Sequence, residues 1–109
     1  MDLSKYQREA RKSALYRKLG EDFIYPTLGL AGEAGEVVEN VKKFVRDDQR
    51  KLSKKRRDAL QNEMGDLLWY LANLAAEFKI DLNDIAENNL KKLASRRKWG
   101  KLQGDGDNR

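Results

Sequence analysis

The sequence predicts an all-α protein, an antiparallel bundle of about four helices, and three observations predict it. Apolar residues recur at helical spacing in four segments. No stretch alternates apolar and polar residues in the manner of a strand. Residues that start and stop helices fall between the segments. The first helix is expected from Leu3 to Lys18, with Leu3, Tyr6, Ala10 and Ala14 on one side and Gly20 ending it. Pro26 opens the second near its first turn. That helix runs from about Thr27 to Asp48, on a seam of Leu30, Ala34, Val37, Val41, Phe44 and Val45. Ser53 caps a third helix that reaches Phe78, on a seam of Leu60, Met64, Leu67, Leu71, Leu74 and Phe78. Asp81 caps the fourth, with Asp84 at the capping-box position and Gly100 at its end. Residues 1–99 read as a single domain, and residues 100–109 as a glycine-rich flexible tail.

Composition narrows the chemistry. The 109 residues contain no cysteine and no histidine, so disulfides, thiol nucleophiles, histidine triads and zinc sites of the Cys or His type are excluded. Any metal must be held by oxygen, which points to magnesium, manganese or calcium. The N-terminal residues lack an apolar signal core, and no apolar run approaches the length of a membrane span, so a cytoplasmic protein is expected. Charged residues make up 38% of a small chain. Such a domain is marginal alone, and a homo-oligomer, dimer or tetramer, is expected.

Two stretches thirty positions apart say nearly the same thing. Leu30-Ala31-Gly32-Glu33-Ala34-Gly35-Glu36-Val37-Val38 aligns with Leu60-Gln61-Asn62-Glu63-Met64-Gly65-Asp66-Leu67-Leu68. Each places two carboxylates three residues apart, on one side of a helix. No Lys or Arg occurs from Leu19 to Val41 or from Asp58 to Phe78, so neither pair has a basic partner nearby in sequence. Glycine inside a helix is unfavourable, yet Gly35 and Gly65 stand at the same place in both copies. Close helix approach or ligand access to the backbone would account for them. The third helix also carries a narrow polar stripe of Glu63, Asp66, Tyr70, Asn73 and Glu77, and is otherwise nearly all apolar. The repeat predicts an approximate two-fold relation between the second and third helices. Their four acids are the raw material of a divalent-cation site.

The run Gly29 to Glu36, followed by Glu63-Met64-Gly65-Asp66, resembles the MazG-type nucleotide pyrophosphohydrolases of the all-α NTP pyrophosphatase superfamily. Glu33, Glu36, Glu63 and Asp66 match that family's Glu-x-x-Glu and Glu-x-x-Asp acids, and the resemblance continues through Trp69-Tyr70-Leu71 and Asn89 to Arg96. One departure is Gly32, where the family has a further Glu. The resemblance implies a magnesium-dependent enzyme, with manganese able to substitute, that releases a nucleoside monophosphate and pyrophosphate from a nucleoside triphosphate. It implies Glu33, Glu36, Glu63 and Asp66 as metal ligands, with Glu36 and Glu63 catalytic and Glu36 orienting the water. Asn89, Lys92 and Arg96 match the family's Asn-x-x-Lys-x-x-x-Arg pattern for phosphate and sugar contacts. Tyr70, Asn73 and the tail's Arg109 are further expected substrate contacts. Trp69, opposite the acids, reads as core or subunit interface.

Two rival readings stand beside this one. The net charge of +5 and the clusters Lys51–Arg57 and Arg96–Lys101 fit a basic helical module for nucleic acid. That reading leaves the paired acids unexplained, because carboxylates repel a phosphate backbone, so nucleic acid is not the expected partner. The other rival is an inactive regulatory bundle with Gly32 as its lesion.

Overall fold

The computed structural model describes residues 1–16 and 22–100. Those residues form four helices and no strand: α1 (Leu3–Lys12), α2 (Ile24–Arg46), α3 (Lys54–Glu77) and α4 (Leu82–Lys98). None is long and apolar enough to cross a membrane. The expected tail lies outside the described residues except for Gly100.

The starts and stops follow local chemistry. Asp2, Ser53 and Asp81 each accept a hydrogen bond from a backbone N–H of the helix that follows, so α1, α3 and α4 begin on side-chain caps. Gly100 takes φ +68 just beyond α4, the left-handed conformation that lets a helix stop. Two boundaries differ from expectation. Helix α1 ends at Lys12, not Lys18. The Ser13 hydroxyl bonds to Ala10 O and accepts the Trp69 indole N–H at 2.9 Å, drawing the chain out of helical register. Helix α2 begins at Ile24, with Pro26 in its third position. The first four N–H groups of a helix have no partner inside it, so a missing one costs little there.

Helices α2 and α3 form an antiparallel hairpin across a short turn. Register is visible in three contacts: Asn40 meets Arg56, Glu33 meets Glu63, and Gly29 meets Tyr70. As one index falls the other rises. The turn end is clasped by Arg56, which donates to Asp48 at 2.7 Å and to Asn40 at 2.9 Å. Helix α1 packs on a different side of α3. There Ala10, Ala72 and Leu82 are buried, with Leu3, Tyr6, Leu68, Trp69 and Leu71 against them. Gln7 pins this core. Its amide nitrogen donates to Ala72 O at 3.1 Å and Ile80 O at 2.9 Å, and its oxygen accepts from Leu82 N at 3.0 Å. One buried side chain thus satisfies backbone groups at the end of α3 and the start of α4. Helix α4 packs on α1 and α3, and not on α2, among the described residues.

A third side of the hairpin is uncovered. Val38, Val41 and Val45 of α2 and Met64 of α3 are all at least 44% exposed. The seams read from the sequence are therefore only partly filled by this one chain.

Candidate metal centre

The hairpin brings Glu33 of α2 beside Glu63 and Asp66 of α3. One carboxylate oxygen from each lies within 4.8 Å of the others. Helical spacing puts Glu63 and Asp66 on one side of α3, and the antiparallel register delivers Glu33 across from them. Glu33 and Glu63 are half-buried, and Asp66 opens to solvent. Glu33 Oε2 is buried and accepts no hydrogen bond among the described residues.

The electrostatics follow. The Glu33 carboxyl is pushed up to about 7, first by hydrogen bonding with Glu63, then by burial, then by the charges of Asp66, Glu63 and Glu36. Two carboxylates bond to one another only when they share a proton. Such a trio asks for a proton or for a cation. Oxygens around a magnesium ion with bonds near 2.1 Å stand about 3–4 Å apart, so the donor set fits a hard divalent ion. The buried Oε2 without a donor fits it too.

Glu36 lies outside this trio. It sits one turn along α2 from Glu33, exposed. The two-fold relation expected from the repeat is thus broken at the side chains: Asp66 joins the cluster and its counterpart Glu36 does not. The paired glycines are also not explained by tight packing. A Cβ at Gly32, Gly35 or Gly65 would meet nothing within 4 Å. The tight glycine is Gly29, where a Cβ would overlap the ring of Tyr70.

Tyr70 is held against α2 beside the acids. Its hydroxyl is raised above the usual range by burial, then by Tyr25, and further by the charges of Glu33 and Asp66. An aromatic group extends from it. Trp69 meets Tyr70 edge-on at 5.0 Å, Tyr25 lies 6.4 Å from Tyr70, and Tyr16 stacks on Tyr25 at 5.4 Å. Trp69 also packs against α1, which bears out its reading as core.

The polar stripe of α3 divides in two. Glu63, Asp66 and Tyr70 face α2, whereas Asn73 and Glu77 face Arg11 and Tyr16. Asn73 is fully buried, accepts from Arg11 at 3.1 Å and donates to Trp69 O at 3.0 Å. Both ends of its amide are engaged by the protein. Glu77 accepts from Arg11 at 3.2 Å and from the Tyr16 hydroxyl. Sequence reasoning missed this network, because its members stand more than sixty residues apart. On α4, Asn89 is exposed, Lys92 half-buried and Arg96 buried. Arg109 lies outside the described residues.

An all-α protein with a carboxylate trio set across a helical hairpin is a candidate divalent-metal hydrolase in class. A model of the MazG nucleotide pyrophosphohydrolase domain matches residues 26–100. Gene 37 protein of Mycobacterium phage L5 is 42% identical over 114 aligned residues that span all of both chains. No solved structure matches. The chain belongs to the MazG nucleotide pyrophosphohydrolase family.

Proposed function

We propose that this chain hydrolyses nucleoside triphosphates to a nucleoside monophosphate and pyrophosphate with a divalent cation, magnesium or manganese. The observation that carries the reading is the trio Glu33, Glu63 and Asp66, with a buried oxygen that lacks a donor. A cation there supplies charge neutralisation on phosphate oxygens and a lowered pKa for a bound water. The three acids hold it. Glu36, adjacent but outside the trio, completes the ligand set or orients the attacking water from one turn away. Tyr70 lines the approach to the acids, fixed by Tyr25 and Gly29. Asn89, Lys92 and Arg96 contact phosphate and sugar from α4.

The test is pyrophosphate release from a panel of ribo- and deoxyribonucleoside triphosphates, with magnesium and with chelator. Metal-dependent pyrophosphate from at least one nucleotide supports the reading, and silence across the panel from folded protein overturns it. Glu63→Gln removes a ligand charge at nearly constant volume. It is expected to lower kcat by at least 100-fold while circular dichroism stays unchanged.

The homo-oligomer belongs to the same reading. Val38, Val41, Val45 and Met64 give the hairpin an uncovered apolar side. In a chain this rich in charge, such a patch is best buried against a second copy.

A further inference from the structure

The carboxylate trio and a run of bases occupy different parts of the hairpin. Residues 42–57, at its turn end, hold nine Lys or Arg and two Asp, a net +7, against +5 for the whole chain. The two acids are already engaged: Asp47 by Arg46 at 2.8 Å and Asp48 by Arg56 at 2.7 Å. Arg50, Lys51, Lys55 and Arg57 are exposed and make no ion pair among the described residues. Lys54 lies nine residues from Glu63, about 13 Å along α3 at 1.5 Å per residue. That exceeds the screening length of about 8 Å at physiological ionic strength. The objection that carboxylates would repel a phosphate backbone therefore does not reach the turn end.

Stability does not explain these bases. The first turn of α3 favours acids, yet it contains none, and Lys55 stands there exposed and without an ion pair among the described residues. Arg50 takes φ +60, a conformation that favours glycine or asparagine. In both places the chain keeps a cation where the fold alone prefers another residue. A membrane surface fits less well, since of the apolar residues in 42–57 only Val45 and Leu52 are exposed and neither is aromatic.

We infer that the α2–α3 turn is a sequence-independent nucleic-acid contact surface, in which Arg50, Lys51, Lys55 and Arg57 pair with backbone phosphates. It is separate from the carboxylate trio and does not rest on hydrolysis. The test is fluorescence anisotropy of the full chain with a labelled 20-base-pair DNA duplex, single-stranded DNA and single-stranded RNA. Each is measured in chelator from 50 to 200 mM salt. For four phosphate contacts on the duplex, the slope of log affinity against log salt is about −3.6, or roughly 150-fold weaker binding across that range. Lys51→Glu/Lys55→Glu/Arg57→Glu puts an acid into the first turn of α3, so helix content is retained. It is expected to weaken binding at least 100-fold and flatten the slope. The milder Lys51→Gln/Lys55→Gln/Arg57→Gln is expected to reduce the slope by about 3. Lys5→Glu/Arg8→Glu/Lys12→Glu changes net charge equally on α1 and is expected to leave affinity within a few-fold. The inference is overturned by no binding at 50 mM salt, by equal losses from the two Glu sets, by loss of binding in chelator, or by binding to phosphatidylserine vesicles without binding to any nucleic acid.

Discussion

Glu33 is the residue whose surroundings have the most consequence. Its folded-state pKa, about 7, lies above the ordinary value of 4.5. The folded chain then holds the Glu33 proton where the unfolded chain has lost it, so this group's contribution to stability falls as pH rises from 4.5 towards 7. Asp81, lowered by Ser4 and by the Asn83 N–H, acts in the opposite sense: its contribution is lost as pH falls. Comparison with Glu33→Gln isolates the first effect. In chelator, the melting temperature of the variant relative to the parent is expected to climb between pH 5 and pH 8. A flat difference would show that Glu33 ionises normally. The glycines give a second check by sign. Gly35→Ala and Gly65→Ala enter open space on helices and are expected to stabilise by about 0.5–1 kcal/mol in denaturant melts. Gly29→Ala must push the Tyr70 ring and is expected to destabilise by about 1–3 kcal/mol. The acids were legible because the sequence repeats them. Gly29 was not, because its neighbour comes from another helix, forty-one positions away.

At the scale of elements, the four helices were readable from periodicity and caps, and Ser53, Asp81 and Gly100 act as their residue types suggest. The end of α1 was not: its C-cap Ser13 bonds to Trp69, fifty-six positions away. The part played by Asn73 was hidden for a similar reason. It shares a stripe with Glu63 and Asp66, but α3 meets α2 along one length and α1 along the next. Gln7 shows how much one buried amide can tie together. Gln7→Leu strands the Ile80 carbonyl and the Leu82 N–H and takes a second bond from the Ala72 carbonyl, and is expected to cost about 2–4 kcal/mol in urea unfolding. Loosening should concentrate where α1, the end of α3 and the start of α4 meet. Hydrogen exchange would detect it there and find the α2–α3 turn unchanged.

For the whole molecule, the side of α3 opposite the acids reads from the sequence as core or subunit interface. Trp69 and Ala72 on that side are covered by α1 of the same chain. The uncovered side is the one bearing Met64, together with Val38, Val41 and Val45 of α2. Val41→Glu/Met64→Glu is expected to shift the protein to a monomer in light scattering coupled to gel filtration. If the parent is itself monomeric at micromolar concentration, the second-copy reading fails. Periodicity reveals which residues are apolar on a helix, but not whether the neighbour that covers them belongs to the same chain.

The raised pKa of Glu33 also has a thermal signature: near neutral pH its carboxyl still holds a proton. An ion entering the trio must displace that proton, which passes to the buffer. Near pH 7, where Glu33 is about half protonated, roughly half a proton leaves per site filled, and nearly a whole one at pH 6. The heat of manganese binding should therefore differ between buffers of unequal ionisation enthalpy, and the difference should shrink towards zero by pH 9.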